Sequence, residues 1–157
     1  VFQYISTLVS NSALAEEIVG DTMMAVWRGA GTFSGSSRVS TWIFGIARHK
    51  ALDALRRTGR AQREVNLDGT ADLATSEDSP FDQVHRSQTE SLTKQALSTL
   101  SRDHQEILRL VFYEELPYED IAALLSIPTN TVKTRVFYAK QQLKRHLERL
   151  GQKEPIR

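Results

Sequence analysis

The stretch Leu116–Leu147, Leu-Pro-Tyr-Glu-Asp-Ile-Ala-Ala-Leu-Leu-Ser-Ile-Pro-Thr-Asn-Thr-Val-Lys-Thr-Arg-Val-Phe-Tyr-Ala-Lys-Gln-Gln-Leu-Lys-Arg-His-Leu, reads as two helices joined by a tight turn. The first helix is expected over Tyr118–Leu125, with Ile121, Ala122, Leu124 and Leu125 on its apolar side. Pro128 crowds the residue before it and disfavours helix at Ile127. A second helix then starts near Pro128 to Asn130, where Thr129 or Asn130 can cap free backbone N–H groups. Along it Val132, Val136, Ala139, Leu143, Leu147 and Leu150 recur at three- and four-residue steps and share one face. Lys133, Thr134, Phe137, Tyr138, Lys140 and Gln141 fall elsewhere, so the face opposite the core is basic and polar. The pattern is a helix-turn-helix, with the small Ala122 permitting a close crossing and Ile127 plugging the turn. Such a unit sets its second helix in the major groove of DNA. An ordinary packed helix pair with a solvated basic face is the plainer alternative.

Upstream of this stretch, Ser101 is a suitable cap for a helix whose Ile107, Leu108, Leu110 and Val111 face inward and which Glu114 and Glu115 end. Before it a helical pattern resumes near Phe81 and carries Val84, Leu92, Ala96, Leu97 and Leu100. These helices and the opening stretch make a compact helical domain over residues 91–150, followed by a short tail, 151–157. Val65 to Asp82 is rich in acids and holds Gly69, Ser79 and Pro80, so residues 64–90 read as a flexible acidic linker.

Residues 1–63 form the other domain. Phe2, Ile5, Leu8 and Val9 make one apolar stripe, and Ile18, Thr22 and Val26 beside Val19, Met23 and Trp27 make another. Asn11-Ser12 between them marks a turn or a helix start. Glu16, Glu17 and Asp21 lie off the second stripe, and from spacing alone they are a solvated face. Gly29 to Ser40 is a loop by composition, with Phe33 its one large apolar residue. Ser40 or Thr41 then caps a helix on which Trp42, Ile43, Ile46, Ala47, Ala51, Leu52 and Leu55 are apolar. Arg48, His49, Lys50, Asp53, Arg56 and Arg57 occupy much of the rest. Trp42 reads mainly as core and His49 as a surface histidine. The dense basic run from Arg48 to Arg63 points to phosphate binding. No strand is expected, so the fold class is all-α: two small helical domains joined by an acidic linker, the second containing the helix-turn-helix.

Composition narrows the function. The 157 residues suffice for one domain or two small ones. Cysteine is absent, which removes disulfides, Cys-ligated metals and Cys nucleophiles, and fits a cytoplasmic protein. No apolar run approaches a membrane span, and no signal peptide is visible. The chain opens at Val1 inside an apolar-periodic stretch, and a preceding segment is expected. Net charge is only +1, but its distribution is uneven. Gly31 to Arg63 holds seven basic residues against one acid; Glu64 to Glu90 holds seven acids against one base; Pro128 to Arg157 holds eight bases against two acids. Two basic blocks around an acidic one are the layout of a protein that touches a polyanion in two places. His49, His85, His104 and His146 are scattered, and no Ser–His–Asp arrangement, metal-spaced cluster or phosphate-binding glycine loop supports an enzyme, a metal site or a cofactor.

The residues resemble the extracytoplasmic-function (ECF) sigma factors of the bacterial sigma-70 family. Ala15 to Trp27 is similar to their region two where it docks on core RNA polymerase. Phe33-x-Gly-x-Ser, Ser40 to Arg48 and Asp53-Ala-Leu-Arg-Arg57 resemble the part that melts and reads the minus-ten element. Leu100 to Leu110, Tyr118-Glu-Asp-Ile-Ala122 and Pro128-x-x-Thr-Val-Lys-Thr-Arg135 resemble region four. The resemblance spans nearly the whole chain outside the linker, in order. It implies that Glu16, Glu17 and Asp21 grip the polymerase clamp, and that Phe33 walls a pocket for a base flipped from the non-template strand. It implies that His49 lies beside that strand with Trp42 on the same helix, and that Arg48, Lys50, Arg56 and Arg57 track phosphates. Thr131, Lys133, Thr134, Phe137 and Tyr138 would face the minus-thirty-five element, with Arg135 and Lys140 near its backbone. Core RNA polymerase, promoter DNA and an anti-sigma factor are the implied partners, without membrane insertion.

Departures from the common family pattern sit at informative places. His49 stands where many relatives carry Asn, Tyr138 where many carry Arg, and Ser126 where Gly is common. A promoter sequence is therefore not implied. The competing reading is a stand-alone helix-turn-helix regulator, with residues 1–63 as an effector or dimerisation domain and tight duplex binding without polymerase.

Overall fold

The structure, a computed structural model, describes the backbone at residues 1–67 and 88–153 and the side chains at 1–60 and 90–151. The stretch 68–87, most of the sequence read as linker, and the tail from 154 lie outside the described residues. All regular structure among the described residues is helical. The chain divides into two compact units, Val1–Glu77 and Asp78–Arg157.

In the first unit, α1 (Phe2–Leu8) is too short to persist alone and is held by packing on α2 (Ser12–Gly29) and α3 (Val39–Leu67). Asn11 starts α2, its side-chain oxygen accepting a hydrogen bond from the Leu14 N–H at 3.0 Å. The core joins Tyr4, Ile5, Leu8 and Val9 to Ala15, Ile18 and Thr22 of α2 and to Phe44, Ala47, Ala51 and Ala54 of α3. Tyr4 and Phe44 meet edge to face, 5.2 Å between centroids. Buried Thr22 turns its hydroxyl back to the Ile18 carbonyl at 2.7 Å, so its oxygen needs no outside partner.

Three expectations for this unit are corrected. Only Ala15, Ile18 and Thr22 of α2 are buried; Met23 and Trp27 are exposed, Trp27 by 81%, and so is Phe2. One packed side accommodates one stripe, and the adjacent stripe faces outward. Helix α3 begins at Val39, with Arg38 O accepting from Trp42 N, so Ser40 and Thr41 lie inside its first turn rather than capping it. The same helix continues to Leu67, past Arg63, because Arg60-Ala-Gln-Arg-Glu64 are good helix formers and low hydrophobicity does not end a helix.

In the second unit, α4 (Gln88–Ser98), α5 (Arg102–Leu108) and α6 (Tyr118–Leu125) all pack on α7 (Thr129–Lys153). Ser101 caps α5, its hydroxyl accepting from the His104 N–H at 3.3 Å, and Gln105 Nε2 donates to the Leu100 carbonyl at 2.8 Å. Thr99 Oγ1 bonds His146 Nδ1, which ties the end of α4 to α7. After α5 the chain widens into a π-turn, Arg109–Tyr113, closed by the Glu114 N–H on the Arg109 carbonyl. Glu115 then adopts a left-handed conformation (φ 52) and returns Leu116 to the core.

Ile121, Ala122 and Leu125 of α6 are buried with Val132, Val136 and Ala139 of α7. The turn between them has a defined geometry. Ser126 is left-handed (φ 55, ψ 45), Ile127 N bonds Ala122 O at 3.0 Å, and Ser126 N points to Ala123 O at 3.4 Å. This is the hydrogen-bond pattern of a Schellman ending. Pro128 takes the cap position of α7 through its carbonyl, bonded by Val132 N, so Thr129 and Asn130 are the first helical residues and not the caps. A Cβ at a left-handed position is strained by about 1–2 kcal/mol. Ser126→Gly is therefore expected to stabilise this unit by about 1 kcal/mol, offset partly by unfolded-chain entropy. Thermal unfolding checks it, with a rise of a few degrees expected; a fall would show that the Ser126 side chain contributes more than the strain removes.

Candidate nucleic-acid interface

Two helices present outward faces suited to a polyanion. On α3 the seven-residue spacing of Trp42, His49 and Arg56 places them on one side, opposite the buried Ala47, Ala51 and Ala54. His49 and Arg56 are exposed and converge on Asp53, His49 Nε2 at 3.3 Å from one carboxylate oxygen and Arg56 at 3.4 Å from the other. Lys50 and Arg57 lie one step round the helix from His49 and Arg56. Arg48 falls on the other flank, half-buried and engaged with a partner, so it does not join this group.

The loop before α3 brings Phe33 to this face. A 3-10 turn, Ala30–Thr32, is held by Thr32 Oγ1 on the Gly29 carbonyl at 2.9 Å, and Phe33 follows in extended conformation. Its ring stacks on Trp42, centroids 4.6 Å apart and planes 29° from parallel. Trp42 is half-buried rather than core. Its ring lies close to Gly29, where a Cβ would meet the indole at 3.3 Å, a tight approach. Phe33 and Trp42 thus form a short aromatic ledge, with His49 two turns further along the same side of α3 beside basic side chains. Stacked aromatic faces with adjacent cations are the equipment for holding unstacked bases.

On α7 the exposed arc after the turn holds Asn130, Lys133, Thr134, Phe137, Tyr138 and Gln141. Thr131 and Arg135 are half-buried on its edge. Lys140, seven residues after Lys133 and so beside it on the helix, is exposed and carries its ammonium over the Phe112 ring at 5.1 Å.

Glu16, Glu17 and Asp21 are exposed on α2 and share its outer side with Met24 and Trp27. Sequence reasoning missed this apolar pair because the helical period assigned Trp27 to a buried stripe. It also missed a groove of about 490 Å³ beside α7, lined by Leu97, Leu108, Phe112, Leu143 and Leu147. Phe112 and Tyr113 of the π-turn line it too, and the apolar pattern does not mark that change of backbone register. No helix among the described residues is long and apolar enough to cross a membrane.

Comparison with known proteins adds the family. Residues 1–61 match the family described as sigma-70 region 2, and residues 96–145 match sigma-70, region 4. The ECF RNA polymerase sigma factor SigL of Mycobacterium tuberculosis is 30% identical over 152 residues, covering 96% of this chain and 84% of that protein. The ECF RNA polymerase sigma factor RpoE of Cereibacter sphaeroides is 32% identical over 142 residues, covering 88% and 75%. Among solved structures, the sigma factor RpoE in complex with the anti-sigma factor NepR, from Bartonella quintana, has a TM-score of 0.76 at 28% identity, covering 94% of this chain and 89% of that one. With the stacked Phe33–Trp42 ledge in the segment matched to region 2 and the helix-turn-helix in the segment matched to region 4, the chain belongs to the ECF sigma factors of the sigma-70 family.

Proposed function

We propose that this chain acts as the sigma subunit of a bacterial RNA polymerase, binding the core enzyme, recognising a promoter at two sites and helping to open it. The observation that carries the reading is the presence, in one chain and in family order, of the stacked Phe33–Trp42 ledge and the α6–α7 helix-turn-helix. The polymerase performs the chemistry, and the sigma chain supplies binding. Flipping a base out of its stack costs a few kcal/mol, comparable with what an aromatic wall and edge hydrogen bonds give back. Phe33 and Trp42 are the wall in this reading, His49 borders the separated strand, and Lys50, Arg56 and Arg57 follow its phosphates. Arg48 acts from the flank.

Helix α7 reads the upstream element from the major groove. Lys133, Thr134, Phe137 and Tyr138 reach base edges, and Thr131 and Arg135 reach the backbone. Lys140, exposed beside Lys133, reaches the same backbone. Glu16, Glu17 and Asp21 meet a basic surface of the polymerase, with Met24 and Trp27 as the apolar part of the same contact. The protein works in the cytoplasm, where promoter and polymerase are. An anti-sigma factor is its regulator, a reading supported by the solved relative that was crystallised with one. The stand-alone regulator is not favoured, since it gives residues 1–61 no reason to match region 2.

Tyr138→Ala tests the division of labour. It is expected to weaken recognition of the upstream element by about 1–3 kcal/mol and to leave co-elution with core polymerase unchanged. Run-off transcription from promoters differing only upstream measures it; equal activity of both proteins on every promoter would contradict the role given to α7.

A further inference from the structure

On the side of α3 that carries the aromatic ledge, one acid stands among cations. Asp53 is the only acidic residue between Gly31 and Arg63. Its carboxylate is shared: one oxygen lies 3.3 Å from His49 Nε2 and the other 3.4 Å from Arg56. All three side chains are at the surface. His49 follows Trp42 by seven residues, roughly 10 Å along the helix. A strand whose base rests on the Phe33–Trp42 ledge therefore passes this trio.

The charge of the trio depends on one proton. With a neutral imidazole the formal charges of His49, Asp53 and Arg56 sum to zero; with a protonated one they sum to +1. Histidine is the side chain whose charge ordinarily changes between about pH 5 and 8. A neutral ring also has only one N–H. With it at Nε2, toward the carboxylate, Nδ1 offers a lone pair and can donate nothing to a phosphate oxygen. A second proton, at Nδ1, makes both nitrogens donors, so that Asp53 keeps one and a phosphate takes the other. Of the other charged groups around the ring, Lys50, Arg57 and Arg60 follow along α3, and Arg48 is on its other flank. Helix α1 has the buried Tyr4 as its one titratable side chain. Glu16, Glu17, Asp21 and Arg28 of α2, and Arg38 of the preceding loop, make no ion pair with His49.

We propose that His49 is a proton-controlled phosphate contact, positioned by Asp53, so that capture of the separated strand strengthens as pH falls. This deepens the function above and rests on α3 meeting that strand. Asp53 acts through the ring and not on the DNA: it holds His49 beside Arg56 and gives the imidazolium a counter-charge before the strand arrives. A nucleic-acid phosphate is favoured over the carboxylate of a protein partner, because the trio is in line with stacked rings suited to unstacked bases.

Holoenzyme formed from the full chain and core polymerase would be titrated with a library-selected promoter whose minus-ten region is mismatched, from about pH 8 down to about pH 6. Each affinity is divided by that of His49→Asn holoenzyme in the same buffer, which cancels the titration of the polymerase itself. The wild-type ratio should rise about two- to fivefold toward the lower pH, the scale of one exposed ionic contact. The wild-type slope of log affinity against log salt should steepen by about 0.7, one phosphate of a single strand. His49→Arg, with a fixed cation, should give a ratio that does not move with pH. Asp53→Asn should flatten the acid response, and Asp53→Glu should retain it. A wild-type ratio constant with pH, an unchanged salt slope, or a full acid response in Asp53→Asn overturns the proposal while promoter binding itself persists. Failure of the sigma reading looks different: no core-dependent promoter binding appears at any pH, and both fall.

Discussion

Phe33→Ala is expected to slow open-complex formation on duplex promoter DNA by roughly one to two orders of magnitude, because stacking on an aromatic side chain contributes about 1–3 kcal/mol per base. The ring is half-buried and stacks on Trp42. Truncation therefore removes a ledge and leaves the core of Tyr4, Ile18 and Phe44 intact. The defect should be confined to opening. On a template whose minus-ten region is already mismatched, wild type and variant should differ much less, since the unstacking cost has been met beforehand. Permanganate reactivity of unpaired thymines, followed over time on both templates, reads the difference. An equal defect on both would mean that Phe33 acts through folding or duplex contacts and not by capturing a base.

Tyr4→Ala should produce the largest loss of stability. Tyr4 is fully buried, meets Phe44 edge to face and lies where α1, α2 and α3 converge. Removing a large buried ring costs about 3–5 kcal/mol, the missing burial and the cavity together. A small helical unit has only a few kcal/mol to spare. The first unit is therefore expected to unfold at much lower urea concentration, and with it core binding and promoter opening should be lost at 37 °C. The second unit has its own core around Ile107, Leu110, Ile121 and Val132, and its transition should stay where it is. Urea titration followed by circular dichroism would show the lower transition moving alone. A shift smaller than about 1 kcal/mol would mean that the site refills and that α1 contributes little.

Where local chemistry and periodicity agreed, the sequence was legible. The bounds of α6, the turn at Ser126-Ile127-Pro128 and the buried run Val132, Val136, Ala139 follow from proline sterics and the 3.6-residue period together. Asn11 and Ser101 are caps as their residue types suggest. The shared face of Trp42, His49 and Arg56 follows from their seven-residue spacing, but reading Trp42 as core set it apart from the other two. What stayed hidden depends on contacts distant in sequence or on backbone register. Trp27 belongs to an apolar stripe by period, yet only the neighbours of α2 decide which stripe is covered. The stack of Phe33 on Trp42 depends on a loop conformation that the sequence pattern does not specify. The placing of the Lys140 ammonium over the Phe112 ring depends on a contact far apart in sequence. The continuation of α3 to Leu67 reflects helix propensity persisting where hydrophobicity has run out.

The measurement that bears most directly on the central claim is co-elution of the chain with bacterial core RNA polymerase, followed by run-off transcription from a promoter library. Stable core binding, together with transcripts from promoters that share an upstream and a minus-ten motif, is the predicted result. Tight binding to duplex DNA without polymerase, and no core binding, would contradict the account and leave a stand-alone regulator in its place.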